Sequence, residues 1–468
     1  MPGKARKCVP RFCPPAHSGR KNPKVEGMMN ILDLREISLS ASELSERLPR
    51  ASLDVEGALE KVRPIIEDVR AHGAKAVRRW TAQFDGVEPT HIRVPRSALQ
   101  DALAGLDSKV RAGLEISIRN NQIGHEAQLP MERVVEVVPG GFVRQRWIPV
   151  RRVGLYVPGG LAVYPSSVVM NVVAAKVAGV DSIAIASPAQ REFDGLPHPT
   201  ILAACELLGI DEVYAMGGAQ AIAAFAYGFS DEVDDSVLEP VDVVTGPGNI
   251  FVAAAKRAVK SVVGIDAEAG TTEIAIIADE AANPRFVARD LISQAEHDPA
   301  AASVLITDSV AHAQAVQAEL ARMVPQTKHA QRIETALGGP QSAIVLTKDV
   351  AHSIFVANAF GAEHLEIQTE NALKDSKQIR NAGAIFVGPY SPVPLGDYIA
   401  GSNHVLPTGG TARFASGLNV HAFLKSVQQI EYNEQALRGL TDPLVALANS
   451  EDLPAHGEAA IERFATKE

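Results

Sequence analysis

The spacing of apolar residues divides the chain into a helical region followed by an alternating one. Between Asp33 and Leu129 apolar residues recur at helical intervals, which predicts an amphipathic helix over 54–69 and a long helical stretch over 97–126. Two apolar runs, 134–138 and 142–147, flank a Pro-Gly-Gly turn and predict a β-hairpin. The first third of the chain is therefore predicted to be mainly helical and to end in a hairpin.

From Val153 onward short β-branched runs alternate with Ala-rich helical runs. The predicted strands are 153–157, 182–186, 212–215 and 241–245 in a first set, and 273–278, 303–307, 342–346, 364–368 and 384–387 in a second set. This alternation is typical of parallel sheets covered by helices on both faces. From Ala415 onward the pattern returns to helix. The sequence predicts an α/β protein with two Rossmann-like doubly wound domains and small helical amino- and carboxyl-terminal segments.

The length of 468 residues exceeds what one hydrophobic core usually serves, so at least two domains are expected. We assign 29–152 and 266–414 to one discontinuous α/β domain that includes the amino-terminal helices. Residues 153–265 are expected to form the second α/β domain, and 415–468 a helical tail. Residues 1–28 are rich in Pro, Lys and Arg and have no apolar core segment, so we expect a disordered extension, or an upstream start ahead of a usual start at Met28 or Met29.

Composition and charge exclude several classes of protein. The formal charge of −10 argues against a nucleic-acid-binding surface and against a polybasic membrane anchor. No apolar run approaches the roughly 20 residues that span a bilayer. The three cysteines, Cys8, Cys13 and Cys205, are too few and odd in number for a disulfide framework. We expect a cytoplasmic protein without nucleic-acid or membrane partners.

Three glycine-rich turns follow strands of the first set: Pro158-Gly159-Gly160, Gly217-Gly218-Ala219-Gln220 and Gly246-Pro247-Gly248-Asn249. Glycine allows close approach of the backbone to a ligand, and helix amino termini attract phosphate. Each turn alone could be an ordinary strand-to-helix connection, and none is a G-x-G-x-x-G fingerprint. Three such turns at the carboxyl edge of one sheet favour a nucleotide site.

Further candidate residues lie in the second half. Gln294 and His297 share a face near the end of a helix predicted within 283–299, which could present two ligands to one metal, although a solvated helix end has the same pattern. Glu363-His364 precedes a predicted strand and suits proton transfer, although a solvated loop is the alternative.

Two more segments are predicted from composition. Gly396-Asp397-Tyr398 and Gly401-Ser402-Asn403-His404 form a polar, glycine-rich stretch that suits a loop at a site. The segment from Glu451 to His456 has the pattern of a helix start. These patterns indicate a nucleotide-using enzyme of two α/β domains and do not give its substrate.

Taken together, these segments resemble the histidinol dehydrogenase family over residues 30–465. The ordered series of motifs is more specific than any of its members. It comprises Val153-Gly154-Leu155-Tyr156-Val157-Pro158-Gly159-Gly160, Gly217-Gly218-Ala219-Gln220-Ala221, Gly246-Pro247-Gly248-Asn249, Ser293-Gln294-Ala295-Glu296-His297, Ala362-Glu363-His364-Leu365, Gly396-Asp397-Tyr398 and Ser402-Asn403-His404-Val405-Leu406-Pro407.

The resemblance implies a homodimeric enzyme with shared active sites that uses zinc and two NAD to oxidise L-histidinol, through histidinal and with one water, to L-histidine, at the end of histidine biosynthesis. It implies His364 as the base for the alcohol and Glu363 as the base that activates water. It implies zinc ligands Gln294, His297, Asp397 and, from the partner subunit, His456. It implies substrate contacts at Thr272, Gln294, His297, His364, Asp397, Glu451 and His456, and NAD contacts, within 153–265, at Tyr156, Gln220 and Asn249. The tail 415–468 would then reach the partner subunit.

One departure from the family pattern concerns substrate contact. Much of the family has Gly-Pro-Ser-Glu where this chain has Gly270-Thr271-Thr272-Glu273, so Thr272 replaces an expected serine and keeps its hydroxyl. Two other interpretations stay open: a related zinc- and NAD-dependent dehydrogenase of another amino or sulfonated alcohol, and a non-catalytic nucleotide-binding protein. Retention of Glu451 and His456 favours histidinol, and retention of both bases favours an enzyme.

Overall fold

The structure, a computed structural model, describes residues 27–465 except 52–53, 160–162 and 269. The extension expected over 1–28 therefore lies almost wholly outside the described residues, as do Gly160 of the first glycine-rich turn and 466–468 of the tail.

Strands and helices alternate along most of the described part of the chain. The strands are β1 Asn30–Asp33, β2 Arg133–Val138, β3 Gly141–Pro149, β4 Arg152–Tyr156, β5 Ser182–Ser187, β6 Val213–Ala215, β7 Phe229–Ser230, β8 Val237–Leu238, β9 Val243–Thr245, β10 Gly264–Ile265, β11 Glu273–Ala278, β12 Ala302–Thr307, β13 Ala343–Leu346, β14 His364–Gln368, β15 Ala384–Val387 and β16 Leu424–Tyr432. The α-helices are α1 Ala41–Arg47, α2 Val55–Asp85, α3 Arg96–Ala104, α4 Ser108–Glu126, α5 Pro165–Ala178, α6 Pro199–Leu207, α7 Gly218–Tyr227, α8 Ile250–Val259, α9 Pro284–Ala295, α10 Val310–Met323, α11 Ala330–Gly338, α12 Val350–Phe360, α13 Ala372–Ser376, α14 Val393–Tyr398, α15 Glu434–Ser450 and α16 Pro454–Ile461.

A six-stranded parallel sheet has the order β1-β13-β12-β11-β14-β15. Alternate residues of β11 point to opposite faces, as the two-residue period of a strand requires. Ile274 and Ile276 pack with α9, α10 and α11, whereas Ala275 and Ile277 pack with α1 and α12. Both faces of this sheet are therefore buried, which explains its near-continuous apolar strands.

A five-stranded parallel sheet has the order β10-β9-β4-β5-β6. Helices α2, α7 and α8 cover one face, and α3, α5 and α6 cover the other. The predicted α/β fold with two parallel sheets is thus confirmed. The packing differs from the predicted grouping of 29–152 with 266–414, because β1 joins the six-stranded sheet while α2, α3 and α4 pack on the five-stranded one. The other domain boundaries stay a prediction.

The amino-terminal helices are divided differently from the prediction. Helix α2 extends far beyond 54–69 and continues past a break at Gly73, whose φ is 53°. The stretch 97–126 forms two helices, because the Asp107 side chain accepts hydrogen bonds from Lys109 N and Val110 N and so begins α4.

The predicted hairpin is confirmed as β2 and β3, and it gains a third antiparallel strand. That strand, β16, lies in the region expected to be helical from Ala415 onward, so the expectation is wrong over Leu424–Tyr432. Its apolar residues Leu424, Val427 and Ile430 are spaced by three, which resembles a helix period. Pairing with β3 along nine residues, a non-local contact, decides the outcome.

The loop predicted around Gly396-Asp397-Tyr398 is instead the six-residue helix α14, with proline at its start. The following segment 401–404 contains neither helix nor strand, as expected. Within the described residues, no helix is both long enough and apolar enough to cross a bilayer.

Candidate active site

The candidate catalytic residues meet at the amino-terminal edge of the six-stranded sheet. Thr272 immediately precedes β11, and Glu363 immediately precedes β14. The two strands are neighbours, with Ile274 opposite His364. Helix α9 returns from the other edge of the sheet, so its last turn brings Gln294 beside Thr272. Strand order thus brings together Thr272 and Glu363, which are 91 positions apart in the chain.

Glu363 is held by two donors. Its Oε2 accepts from the Thr272 hydroxyl at 2.6 Å and from Glu273 N at 2.8 Å. The neighbouring His364 ring donates from Nδ1 to the Glu273 carbonyl at 3.1 Å, and Nδ1 also lies 3.4 Å from Glu363 Oε2. Nε2 of His364 lies 3.5 Å from Asp397 Oδ1. The backbone of Glu273 therefore orients both candidate bases.

The charged forms of His364 and Asp397 stabilise each other against the effect of burial. Burial alone would lower the pKa of His364, but the Glu363 and Asp397 carboxylates beside the ring raise it well above its ordinary value. Burial alone would raise the pKa of Asp397, but the hydrogen bond and charge of His364, with smaller effects of His404 and His297, hold it below its usual value.

The orientation of the Gln294 amide follows from hydrogen-bond chemistry. A threonine hydroxyl has one proton, and Thr272 donates it to the Glu363 carboxylate. The Thr272 oxygen can then only accept, so the Gln294 group 2.6 Å from it is the Nε2 amino group. Gln294 Oε1 is buried and has no hydrogen-bond partner among the described residues. The carbonyl oxygen is thus a free, oriented acceptor in a buried site.

His297 follows the end of α9 and is half-buried. Its Nδ1 donates to the Ser293 carbonyl at 3.1 Å, which leaves Nε2 as the free ring nitrogen. An amide oxygen, an imidazole nitrogen and a carboxylate oxygen form a donor set that suits Zn²⁺. Among the described residues of one chain, no group of three or more His, Cys, Asp or Glu side chains could hold a metal ion.

The structure does not bring two predicted residues to this site within one chain. Glu451 caps the end of α15, and His456 lies in the first turn of α16. Both side chains are exposed. Neither has a hydrogen bond or an ion pair to Gln294, His297 or Asp397 in the part of the chain that the structure describes.

The predicted NAD residues lie at the carboxyl edge of the five-stranded sheet. Tyr156 ends β4, and its hydroxyl accepts from Gly218 N at 3.2 Å. Gln220 in the first turn of α7 is 1% exposed, and its Oε1 has no partner among the described residues. Asn249 caps α8, accepting from Phe251 N at 3.0 Å. Tyr156 and the 217–220 turn are in contact, and Asn249 follows the adjacent strand β9.

Two residues link the candidate site to the five-stranded half of the molecule. His404 donates from Nδ1 to the Asp397 carbonyl at 2.9 Å, and its Nε2 lies 2.9 Å from the Ser167 hydroxyl on α5. Burial lowers the pKa of His404, so the neutral ring accepts the Ser167 proton at Nε2. The adjacent Asn403 donates to the Met170 carbonyl, also on α5, at 2.8 Å. Helix α5 therefore fixes the segment that follows Asp397.

A model of the family described as histidinol dehydrogenase matches residues 48–464. The chain is 58% identical to the histidinol dehydrogenase of Thermobifida fusca, over 94% of this chain and 99% of that protein.

This chain belongs to the histidinol dehydrogenase family.

Other histidinol dehydrogenases agree with this assignment. That of Bifidobacterium longum is 57% identical over 94% of each chain. The crystal structure of histidinol dehydrogenase from Elizabethkingia anophelis is 29% identical, superposes with a TM-score of 0.86, and is matched over 98% of its length by 93% of this chain. The chain is accordingly an oxidoreductase of histidine biosynthesis, and the histidinol dehydrogenase family implies dependence on NAD.

Sequence reasoning assigned no role to several residues that the site uses. His404 was part of a quoted motif, but its contact with Ser167 joins two distant segments and leaves no local signal. Arg50, whose Nη1 lies 3.2 Å from Glu273 Oε2, was also missed. Burial raises the pKa of Glu273 to about 7 despite Arg50. A charged residue at the first position of a predicted buried strand was the one available signal for Glu273.

Proposed function

We propose that the chain oxidises L-histidinol through histidinal to L-histidine in a zinc site formed by Gln294, His297 and Asp397 together with the partner subunit's His456. The observation that carries this proposal is the buried carbonyl oxygen of Gln294. It is oriented by Thr272 and has no partner among the described residues. Leaving such a group unpaired costs about 1–3 kcal/mol, so a buried free acceptor favours a bound cation.

Zn²⁺ held by these side chains would act as a Lewis acid and fix the imidazole and amine of the substrate. The chain's own residues would keep the ligands in place. Thr272 holds the Gln294 amide, the Ser293 carbonyl holds the His297 ring, and the His404 ring holds the backbone of Asp397. Such outer contacts fix the ring nitrogen and the oxygen that face a metal.

His364 would remove the alcohol proton at Nε2 while the C–H electron pair leaves as hydride to NAD. Its Nδ1 proton is engaged by the Glu273 carbonyl, so only Nε2 is available. Asp397 favours the protonated ring only while its carboxylate is free. With its charge offset by a bound cation, Asp397 would hold the proton on His364 less firmly, and Nε2 would be a better proton acceptor.

Glu363 would take a proton from water as its oxygen attacks the aldehyde carbon of histidinal, and a second hydride would then leave to a second NAD. The Thr272 hydroxyl and Glu273 N hold Oε2 of Glu363, so the carboxylate is oriented before reaction. Two bases in one site suit two oxidation steps.

We further propose that residues 153–265 bind NAD through Tyr156, Gln220 and Asn249, at three turns that begin helices. We also propose that 415–468 reaches a second copy, so that the partner subunit's Glu451 binds the substrate amine and the active sites of a homodimer are shared. The exposure of Glu451 and His456 within one chain supports a role outside it.

The division of labour between the two bases can be tested by supplying each step separately. We expect about two NADH per L-histidinol consumed by the native protein. His364→Asn should slow oxidation of L-histidinol by at least about 100-fold and affect added histidinal less, because a general base contributes about 100- to 10,000-fold. Glu363→Gln should slow oxidation of histidinal most.

Glu370→Gln, an exposed glutamate beyond the other end of β14, is the matched control and should keep both rates. Equal losses in both steps for His364→Asn and Glu363→Gln would contradict separate roles. One NADH per L-histidinol, or faster turnover of an alcohol without imidazole, would contradict the substrate.

A further inference from the structure

Behind the candidate site, a row of buried polar residues continues along β14. His364, Glu366 and Gln368 alternate along the strand and therefore lie on the same face, which is covered by α9. On α9, Asp290 lies one turn before Gln294, on the same side of the helix. His364 and Gln294 thus each have a buried acid behind them, Glu366 and Asp290.

The two acids share one hydrogen-bond donor. The Gln368 amide bridges them, with Nε2 at 2.8 Å from Glu366 Oε2 and 3.1 Å from Asp290 Oδ2. Glu366 Oε1 also accepts from Val393 N at 2.9 Å. Val393 is the first residue of α14, the helix that carries Asp397. The pair therefore contacts the three elements that carry Gln294, His364 and Asp397.

Two buried carboxylates that share one donor repel each other, so the pair favours keeping one proton. The polar groups that face the pair are the Gln368 amide from β14 and Val393 N from α14, and neither acid forms an ion pair with Lys or Arg among the described residues. Burial, followed by the charge of Asp290, raises the pKa of Glu366 well above its ordinary value. The pair therefore keeps one proton to a higher pH than an isolated glutamate does.

We propose that Asp290 and Glu366 form a positioning pair that fixes α9, β14 and α14 relative to one another and so sets the spacing of Gln294, His364 and Asp397. Neither acid is proposed to touch the substrate or a metal. The inference rests on the proposed function, because Gln294 and Asp397 are the proposed zinc ligands.

Two variants of Glu366 distinguish a role of its hydrogen bonds from a role of its side-chain volume. Glu366→Gln keeps an oxygen that accepts from Val393 N. Its amino group replaces the oxygen that accepts from Gln368 Nε2, and once that amide turns it can donate to Gln368 Oε1, which has no partner among the described residues. Glu366→Leu has similar volume but leaves Val393 N and the Gln368 amide without this partner, which is costly in a buried site. Asp375→Asn is the control, because Asp375 is also buried and accepts from Thr369 at 2.6 Å, but beyond the opposite end of β14.

The first experiment measures binding of Zn²⁺ alone to the metal-free full chain by competition with a chelator. Glu366→Leu should weaken zinc affinity about 10- to 100-fold, as removal of outer contacts of metal sites does. Glu366→Gln and Asp375→Asn should stay within about threefold of the native protein. Native affinity in Glu366→Leu would overturn the positioning pair. Failure of the native chain to bind zinc would instead overturn the proposed function.

The second experiment needs no metal and keeps the inference testable if Glu366→Leu does not fold. A carboxyl whose pKa is raised in the folded state loses stability as pH rises from its unfolded pKa, about 4.3 for Glu, to its folded pKa. Glu366→Gln has no proton to lose there. The Tm of Glu366→Gln relative to that of the native protein should therefore increase as pH rises through this window. A Tm difference independent of pH would overturn the protonated pair.

Discussion

The two sheets of the molecule have the same architecture and present opposite edges to their candidate ligands. The five-stranded sheet presents its carboxyl edge, where Tyr156 ends β4 and α7 and α8 begin. The six-stranded sheet presents its amino edge, where β11 and β14 begin and α9 ends at Gln294. The same fold thus places helix amino termini at one site and a helix carboxyl terminus at the other.

The difference between the edges is electrostatic. Free N–H groups and the positive end of the helix dipole make helix amino termini suitable for phosphate. The carboxyl end of a helix has the opposite sign and stabilises cations. Under the proposed function, the phosphates of NAD would bind at the five-stranded edge, and a metal ion and the substrate ammonium group would bind at the end of α9. The proposed ligand at each edge thus has a charge that complements the helix ends there.

The largest effects are expected for two variants, one at each edge, when zinc affinity and KM for NAD are measured for both. Asp397→Asn should weaken zinc affinity at least about 100-fold, because it removes a charged ligand at the six-stranded edge. Gln220→Ala should leave zinc affinity unchanged and raise KM for NAD about tenfold, the equivalent of one lost buried hydrogen bond. Zinc competition and steady-state kinetics measure the two effects. Loss of zinc in Gln220→Ala, or an NAD defect alone in Asp397→Asn, would break the division between the edges.

An intermediate effect is expected at Thr272, whose hydroxyl orients the Gln294 amide so that its acceptor oxygen is free. Thr272→Val removes the hydroxyl that holds both Gln294 and Glu363, so zinc affinity and kcat should each fall about tenfold or more. Thr272→Ser keeps both hydrogen bonds and should stay within about twofold. Titration of zinc and turnover of L-histidinol provide the two readouts. A Thr272→Val protein with native zinc affinity would show that the Gln294 amide is oriented by something else.

The smallest effect concerns Asp85, an acidic residue near the edge of the five-stranded sheet at which we propose that NAD binds. Asp85 lies near Tyr156, and burial raises its pKa to about 6. A raised folded pKa means that stability falls as pH rises from about 4 to about 6 and is level above that. Asp85→Asn should therefore raise Tm by a few degrees at pH 7 and leave it unchanged near pH 4. Thermal unfolding at both pH values tests this, and an equal shift at both would exclude the titration of Asp85.

Much of the fold could be predicted because its strands are short, buried and locally marked. Strands such as Glu273–Ala278 and Ala384–Val387 were predicted with their observed bounds, since β-branched runs between helices leave few alternatives. Features that depend on contacts between distant parts of the chain could not be predicted. Strand β16 exists through its pairing with β3, and α2, α3 and α4 pack on a sheet whose strands follow them in the chain.

The candidate site was predictable as a set of residues and less so as an arrangement. Glu363-His364 and Gln294 were found from motifs, and their meeting at one edge follows from the adjacency of β11 and β14, which sequence order does not reveal. Glu366 and Asp290 had a weak local signal, the two-residue and four-residue periods from His364 and Gln294. Without the sheet order, those periods describe ordinary buried positions.

Helix α5 has a consequence for exchanging cofactor specificity between enzymes. It belongs to the five-stranded half, yet Ser167 and the Met170 carbonyl hold His404 and Asn403 beside Asp397. A graft that imports another dehydrogenase's nucleotide half would thus replace a support of the opposite half as well. Such a chimera has to retain the residues of α5 that hold Asn403 and His404.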